Sequence, residues 1–295
     1  MKILLLGGNG QVGHELRRSL APLGELTVTT RTGVLPDGGR CEALDLARPE
    51  AVDAVIERFI PDVVVNATAY TAVDRAEDEP DLAFAINAEA PGRIARACVA
   101  LGASLVHYST DYVFDGSSRR PYRESDSTAP LGVYGRSKLA GEHAVADSGA
   151  RHLILRTAWI YGLRGNNFLR AMLRLGGERE QLRVVADQIG CPTPAWLIAD
   201  VTATILEQGI AQSGVRHLVS TGQTSWHGFA EAIFEEAHAR GLIERRPLVE
   251  PIRAVEFPTR AERPAWSVLD AGRLADEYRL QLPDWREALA TTFDR

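Results

Sequence analysis

Gly7-Gly8-Asn9-Gly10-Gln11-Val12-Gly13 follows the apolar run Ile3–Leu6 without a break and leads into an amphipathic stretch, Val12–Leu20. The string reads G-x-x-G-x-x-G rather than the commoner G-x-G-x-x-G, and many glycine strings are only turns. Its place at a strand-to-helix junction gives it more meaning. Glycines there let backbone approach a pyrophosphate, which the amides and dipole of a helix N-terminus then hold. Working outward, Leu26–Thr30, Val63–Asn66, Ser104–Ser109 and His152–Arg156 read as strands, with helices near Ala51–Arg58, Leu82–Ala100 and Tyr134–Ala146. Most of the strands are too uniformly apolar to be half-exposed, which makes them central. Short connections and right-handed crossovers assemble them into an α/β fold, a Rossmann-type doubly wound parallel sheet.

After about residue 160 the alternation loosens. Arg164–Asn167 and Gly190–Pro194 read as loops, Pro192 and Pro194 excluding a central strand. The reading is a dinucleotide-binding domain over 1–162, with a returning strand near 215–221, and a smaller, discontinuous C-terminal substrate-binding lobe over 163–295. The four prolines between Pro247 and Pro264 read as irregular structure packed over a site.

The bulk properties exclude several classes. With 45% hydrophobic and 24% charged residues the composition is that of an ordinary globular protein. No apolar run reaches the roughly 18 residues of a membrane span. Met1–Leu6 is too short for a signal peptide and runs straight into glycines, so the expected compartment is the cytoplasm. Cys41, Cys98 and Cys191 lack the spacing of a disulfide framework or a zinc site. A net charge of −6 with scattered basic residues argues against nucleic acid as a partner.

An anionic cofactor is still accommodated by local groups. Gly7, Gly10, Gln11, Val12 and Gly13 are the candidates for its pyrophosphate. Where an acidic residue usually meets the adenosine ribose, this chain has Thr29-Thr30-Arg31. A guanidinium suits a 2′-phosphate, so NADPH is expected over NADH, unless Arg31 simply points into solvent. Asp45 and Leu46 are assigned to the adenine, and Ala67, Ala69, Tyr70 and Thr71 to close backbone approach after the fourth strand.

The sharpest signal is Tyr134-Gly135-Arg136-Ser137-Lys138. Tyr134 and Lys138, four apart, share one helix face. A free phenol titrates near pH ~10, and an ammonium beside it would lower that value and make it a workable acid for a carbonyl receiving hydride. Lys138 could also bond the nicotinamide ribose. A lone Y-x-x-x-K is common by chance. Thr110, just past the fifth strand, supplies a third group, a hydroxyl able to steady a developing oxyanion at the carboxyl edge of the sheet.

The strings GGNGQVG, YSTDYVFDG, VYGRSKLAGE and RTAWIYG resemble those of extended short-chain reductases, the dTDP-4-dehydrorhamnose reductases. The likeness runs from residue 2 nearly to the end and includes Gly165–Phe168, Asp187-Gln188, Pro192-Thr193, Thr224–His227 and Arg263-Pro264. It implies reduction of the 4-keto group of a dTDP-6-deoxy-hexulose to dTDP-L-rhamnose, used in cell-surface polysaccharide synthesis. Hydride would come from the nicotinamide and the proton from Tyr134, assisted by Lys138 and Thr110. It further implies substrate contacts from Thr110, Asp111, Tyr134, Trp159 and Asn167, with Arg263 toward the diphosphate. From the residues alone Trp159 reads equally as a core aromatic, and Arg263 equally as a surface ion pair. Two departures stand out. Relatives often carry an acid where Thr30 stands. Some dimerise through a cation held by glutamates, of which only Glu15 survives here, with Trp196 and Ala290–Phe293 at the other positions. No metal is therefore expected, and a homodimer is left open.

A nucleotide-sugar epimerase would share the fold, the glycine loop and the Tyr/Lys pair. A 4,6-dehydratase typically has Asp-Glu after the threonine, where this chain has Asp111-Tyr112. A binding module resembling the regulatory subunit of methionine adenosyltransferase would have no chemical need for Tyr134 and Lys138.

Overall fold

The computed structural model describes residues 1–295, the side chain of Pro49 apart. Its strands are β1 (Lys2–Leu6), β2 (Glu25–Thr30), β3 (Glu42–Ala43), β4 (Val63–Asn66), β5 (Ser104–Thr110), β6 (Arg151–Thr157), β7 (Ile160–Tyr161), β8 (Gln181–Val185), β9 (Ile189–Gly190), β10 (Thr193–Pro194), β11 (Gly214–His217), β12 (Thr224–Ser225) and β13 (Leu248–Ile252). Its helices are α1 (Gln11–Leu20), α2 (Pro49–Phe59), α3 (Val73–Ala76), α4 (Pro80–Phe84), α5 (Ala90–Leu101), α6 (Val133–Ala146), α7 (Phe168–Glu178), α8 (Ala195–Gln208), α9 (Trp226–Ala239), α10 (Gly272–Tyr278) and α11 (Trp285–Asp294).

Seven strands form one sheet in the order β11-β6-β5-β4-β1-β2-β3, and every pairing in it is parallel. The order reverses between β1 and β4, which opens a crevice at the carboxyl edge where ligands of such sheets bind. Leu4, Leu5 and Leu6 are wholly buried because α1 and α8 cover one face of the sheet and α2 and α5 the other. This explains the unbroken apolar runs. The strand expected near 215–221 is β11, ending at His217.

Three expectations need correction. Thr110 is the last residue of β5, not the first beyond it. The expected single helix from Leu82 is interrupted by a π-turn, Ala85–Glu89, between α4 and α5. The proline-rich segment is not wholly irregular, since β13 pairs in parallel with β8 despite Pro251. A two-stranded ribbon has only edges, so a proline can keep its missing donor on the unpaired side.

The C-terminal elements build a separate core around Phe229, Phe234, Leu169, Met172 and Trp285. Helix α6 is held closely on two sides. A Cβ at Gly135 would lie 2.2 Å from the Tyr112 carbonyl oxygen, and one at Gly141 only 2.0 Å from that of Asn87. Gly141→Ala should therefore cost about 1–3 kcal/mol of overpacking, read from the urea unfolding midpoint. An unchanged midpoint would show that α6 can move aside.

Candidate active site

The glycine loop joins β1 to α1 with Gly7 at φ +86°, a left-handed conformation. A Cβ at Gly13 would meet the Gly7 carbonyl oxygen at 2.0 Å, so the protein itself demands glycine there. Gly10 differs. Its φ of −69° is ordinary, and the nearest atom to a Cβ would be 3.4 Å away. Packing within the chain leaves that space open, and no side chain caps α1. First-turn amides facing an open space suit a pyrophosphate.

The other residues expected at the cofactor sit along the same edge. The Val12 and Leu46 side chains are core residues, so only their backbones face outward. The Gln11 side chain is also engaged elsewhere, its Oε1 accepting from Asn167 Nδ2 at 2.7 Å. Arg31 is exposed immediately after β2. Thr30, at the usual acidic position, is buried, and its hydroxyl bonds the Val34 carbonyl (3.2 Å) and amide (3.1 Å). It shapes the turn and leaves Arg31 as the outward group. The Asp45 carboxylate accepts the Ala47 amide at 3.1 Å. Ala67, Ala69, Tyr70 and Thr71 leave the end of β4, where Asn66 Oδ1 accepts the Thr68 amide at 3.1 Å and Nδ2 meets His107 at 3.1 Å.

Thr110, Tyr134 and Lys138 come together at the end of β5. Thr110 Oγ1 accepts the Tyr112 amide (3.2 Å) and donates to Asp111 Oδ1 (3.0 Å). Tyr134 is half-buried, its ring 5.7 Å edge-on from that of Tyr112. Burial pushes its phenol above the ordinary value, Asp111 and Tyr112 add to this, and the Thr110 bond works against it. Lys138 is buried, its Nζ donating to the Tyr108 carbonyl at 2.6 Å. Desolvation pulls its ammonium down to about 8, with Glu142 opposing. Against the expectation of a lowered value, burial is the largest influence on the Tyr134 phenol and raises it, while the Lys138 ammonium meets a backbone carbonyl.

Asp111 is buried beside them, and among the described residues its Oδ2 has no hydrogen-bond partner. Desolvation pushes this carboxyl up to about 6, against Ser267, Thr110 and two backbone amides. Trp159 adopts φ +46°, rare for a bulky residue. It is wedged between Trp226, stacked with ring centroids 3.5 Å apart, and Gly190, where a Cβ would lie 2.4 Å from the indole. Much of the ring is thus packing, although part stays exposed. Asn167 is a different case. Its Nδ2 donates to Gln11, Gly162 (2.9 Å) and Arg164 (2.9 Å), and its Oδ1 caps α7 through the Arg170 amide. Its amide hydrogens are committed within the protein, where they fix the loop after β7.

Arg263 pairs with Asp74 at 2.8 Å, and its charge works to lower the Tyr112 phenol against the pull of burial. It lines a cleft of about 1410 Å³ with Phe168, Met172, Gln188 and Trp226. Around Glu15, Trp196 Nε1 donates to Thr292 (2.9 Å), while Arg18 and Arg295 both reach Asp200, at 2.9 and 2.7 Å. Sequence reasoning missed Tyr112, Asn87 and the Glu142–Arg156 pair, whose partners are distant in the chain. Asn87 Oδ1 accepts the Tyr70 amide (2.8 Å), while Nδ2 donates to the Tyr70 carbonyl (3.1 Å) and to Ser137 (3.0 Å).

The family model for the RmlD substrate binding domain matches residues 1–295. The dTDP-4-dehydrorhamnose reductase of Burkholderia thailandensis is 48% identical, over 98% of this chain and 97% of its own. That of Escherichia coli K12 is 44% identical over 97% and 95%. Among solved structures, the Bacillus anthracis dTDP-4-dehydrorhamnose reductase in complex with NADP superposes with a TM-score of 0.89 at 36% identity, covering 100% and 99%. The UDP-glucose 4-epimerase of Thermus thermophilus, in complex with NAD, has a TM-score of 0.81 at 22% identity, covering 100% and 98%, a likeness of fold alone.

The raised Asp111 carboxyl gives a pH test. Between the ordinary value of 3.8 and about 6, the unfolded chain has released this proton and the folded one has not. Stability attributable to Asp111 therefore falls as pH rises through that window. Relative to Asp111→Asn, the wild type should lose urea resistance across it, and an equal gap at both ends would reject the assignment.

Proposed function

This chain belongs to the RmlD substrate-binding-domain family, that of the dTDP-4-dehydrorhamnose reductases, and on that premise we propose how its residues divide the work. It is an NAD(P)H-dependent oxidoreductase that reduces the 4-keto group of dTDP-4-dehydrorhamnose to dTDP-L-rhamnose. The observation that carries the reading is the convergence of Thr110, Tyr134 and Lys138 at the sheet edge that also holds the glycine loop.

NADPH, when bound, supplies the hydride to the carbonyl carbon. The amides at Gly10–Gly13 would hold its pyrophosphate, Arg31 its 2′-phosphate, and Lys138 its nicotinamide ribose. Tyr134 donates its proton to the carbonyl oxygen, and the Thr110 hydroxyl bonds the same oxygen as charge develops. The phenol is protonated at neutrality and gives up its proton as the more basic alkoxide forms beside it. Asp111 Oδ2 offers a buried acceptor or donor to a sugar hydroxyl, and the exposed part of Trp159 an apolar platform for the deoxysugar. Arg263 faces the diphosphate from the wall of the large cleft, where a planar guanidinium matches phosphate oxygens. We assign residues 1–162, joined by α8 and β11, to the dinucleotide-binding lobe and the remainder mainly to the substrate-binding lobe. No helix of the described residues is long and apolar enough to cross a membrane. We place the enzyme in the cytoplasm and assign it no structural metal, the arginine contacts near Glu15 and Trp196 favouring a cation-free surface.

Purified enzyme should oxidise NADPH when given freshly generated dTDP-4-keto-L-rhamnose, yielding one dTDP-sugar. Tyr134→Phe should bind NADPH normally while kcat falls roughly 10²–10⁴-fold, and near-normal turnover would refute the proton-donor role. Arg31→Asp should shift the preference from NADPH toward NADH, read as the ratio of the two kcat/KM values. An unchanged ratio would dismiss Arg31 as the phosphate reader.

A further inference from the structure

Asp74–Glu79 reads Asp-Arg-Ala-Glu-Asp-Glu, four carboxylates in six residues, a pattern ordinarily solvated. Here each carboxylate is engaged. Glu79 accepts from the Tyr70 hydroxyl at 2.5 Å, in the segment after β4. Asp78 pairs with Arg260 at 2.7 Å. Asp74 holds both Arg263 (2.8 Å) and the Ala261 amide (3.1 Å). Glu77 Oε1 accepts the Val133 amide at 2.7 Å. One short acidic segment thus ties together the cofactor-facing loop, the strap that carries Arg263, and the start of α6.

The contact to α6 bears most directly on the chemistry. The helix begins at Val133 behind Gly132, which has no side chain to cap it. A Ser, Thr, Asp or Asn at that position would satisfy a first-turn amide. Glu77 does so from another part of the chain. Gly132 leaves the room for it, since a Cβ there would lie 2.6 Å from Glu77 Oε1. The carboxylate also places negative charge at the positive end of the helix dipole. Tyr134 is the residue next to Val133, so the first turn that Glu77 fixes is the turn that presents the phenol.

We propose that Glu77 is a positioning residue for Tyr134, a cap supplied in trans that holds the phenol in line for proton delivery. The inference rests on Tyr134 as the proton donor. Small displacements of a reacting group are costly in rate, whereas ground-state binding through the rest of the site is left in place.

The test measures kcat, KM and the solvent deuterium isotope effect on kcat with NADPH and the keto-sugar. In Glu77→Ala, kcat should fall about tenfold with both KM values within about twofold. The isotope effect should rise, because proton delivery becomes the slower step. Glu77→Gln retains an oxygen that can accept the Val133 amide and should recover most of kcat. Glu77→Asp, one methylene short, is the milder probe should the alanine variant fold poorly, with the same isotope signature and a smaller loss. Wild-type kinetics in the alanine and aspartate variants would overturn the proposal. So would a loss of kcat with an unchanged isotope effect, which means fewer folded molecules and not a displaced phenol. Tyr134→Phe reads the premise separately. Its collapse beside a normal Glu77→Ala enzyme rejects only the positioning role, and its survival rejects the proton donor itself.

Discussion

A buried ammonium, that of Lys138, is the constraint from which much of this architecture follows. Removing an isolated ammonium from water costs several kcal/mol even after relaxation. The cost must be offset by groups placed beforehand. The Tyr108 carbonyl takes one proton of Nζ at 2.6 Å, which requires β5 to end where its last carbonyls face α6. Glu142, one helical turn further along, raises the Lys138 value and so favours its charged form. That carboxylate is buried too, and needs partners of its own. Arg156 on β6 supplies two hydrogen bonds, at 2.9 and 2.6 Å, and Ser109 a third. The guanidinium in turn lies over the Phe114 ring, 5.1 Å from its centroid. One catalytic cation thus propagates through α6, β5 and β6.

The main sheet was legible because burial on both faces forces continuous apolar runs, and Leu4–Leu6, Val63–Val65 and Leu153–Leu155 show them plainly. The glycine loop was legible for a related reason. Close backbone approach at Gly7 and Gly13 permits nothing larger, so the requirement is written in residue identity. Strand β13 escaped notice because proline is read as a breaker, which holds for central strands and fails in a two-stranded ribbon. The π-turn at Ala85–Glu89 left no local mark, since its purpose lies outside the helix. It presents Asn87 to the Tyr70 backbone and to Ser137 at once.

The candidate site divides along the same line. Tyr134 and Lys138 could be paired from spacing alone, because helix geometry fixes which residues share a face. What each does to the other could not. The expected lowering of the phenol is outweighed by burial, and the carbonyl that takes the ammonium comes from β5, whose register cannot be read from a helical motif. Glu77 and Val133 are 56 residues apart, and Asp74 and Arg263 are 189 apart. Such contacts depend on tertiary assembly and leave no local mark in the acidic segment. Asn167 was marked by its motif, and its carboxamide makes the Gln11 and Gly162 contacts that brace the glycine loop.

Burial acts on both ionisable members of the triad. The phenol, raised by burial, holds its proton through the approach of a neutral ketone and yields it only to an oxygen that has become more basic than a phenolate. The ammonium is drawn down to about 8. The two shifts are opposite, and burial, the same physical cause, produces both because it disfavours the charged form of each group. The cation is turned toward the Tyr108 backbone, and the hydroxyl of Thr110 works to lower the phenol against the pull of burial.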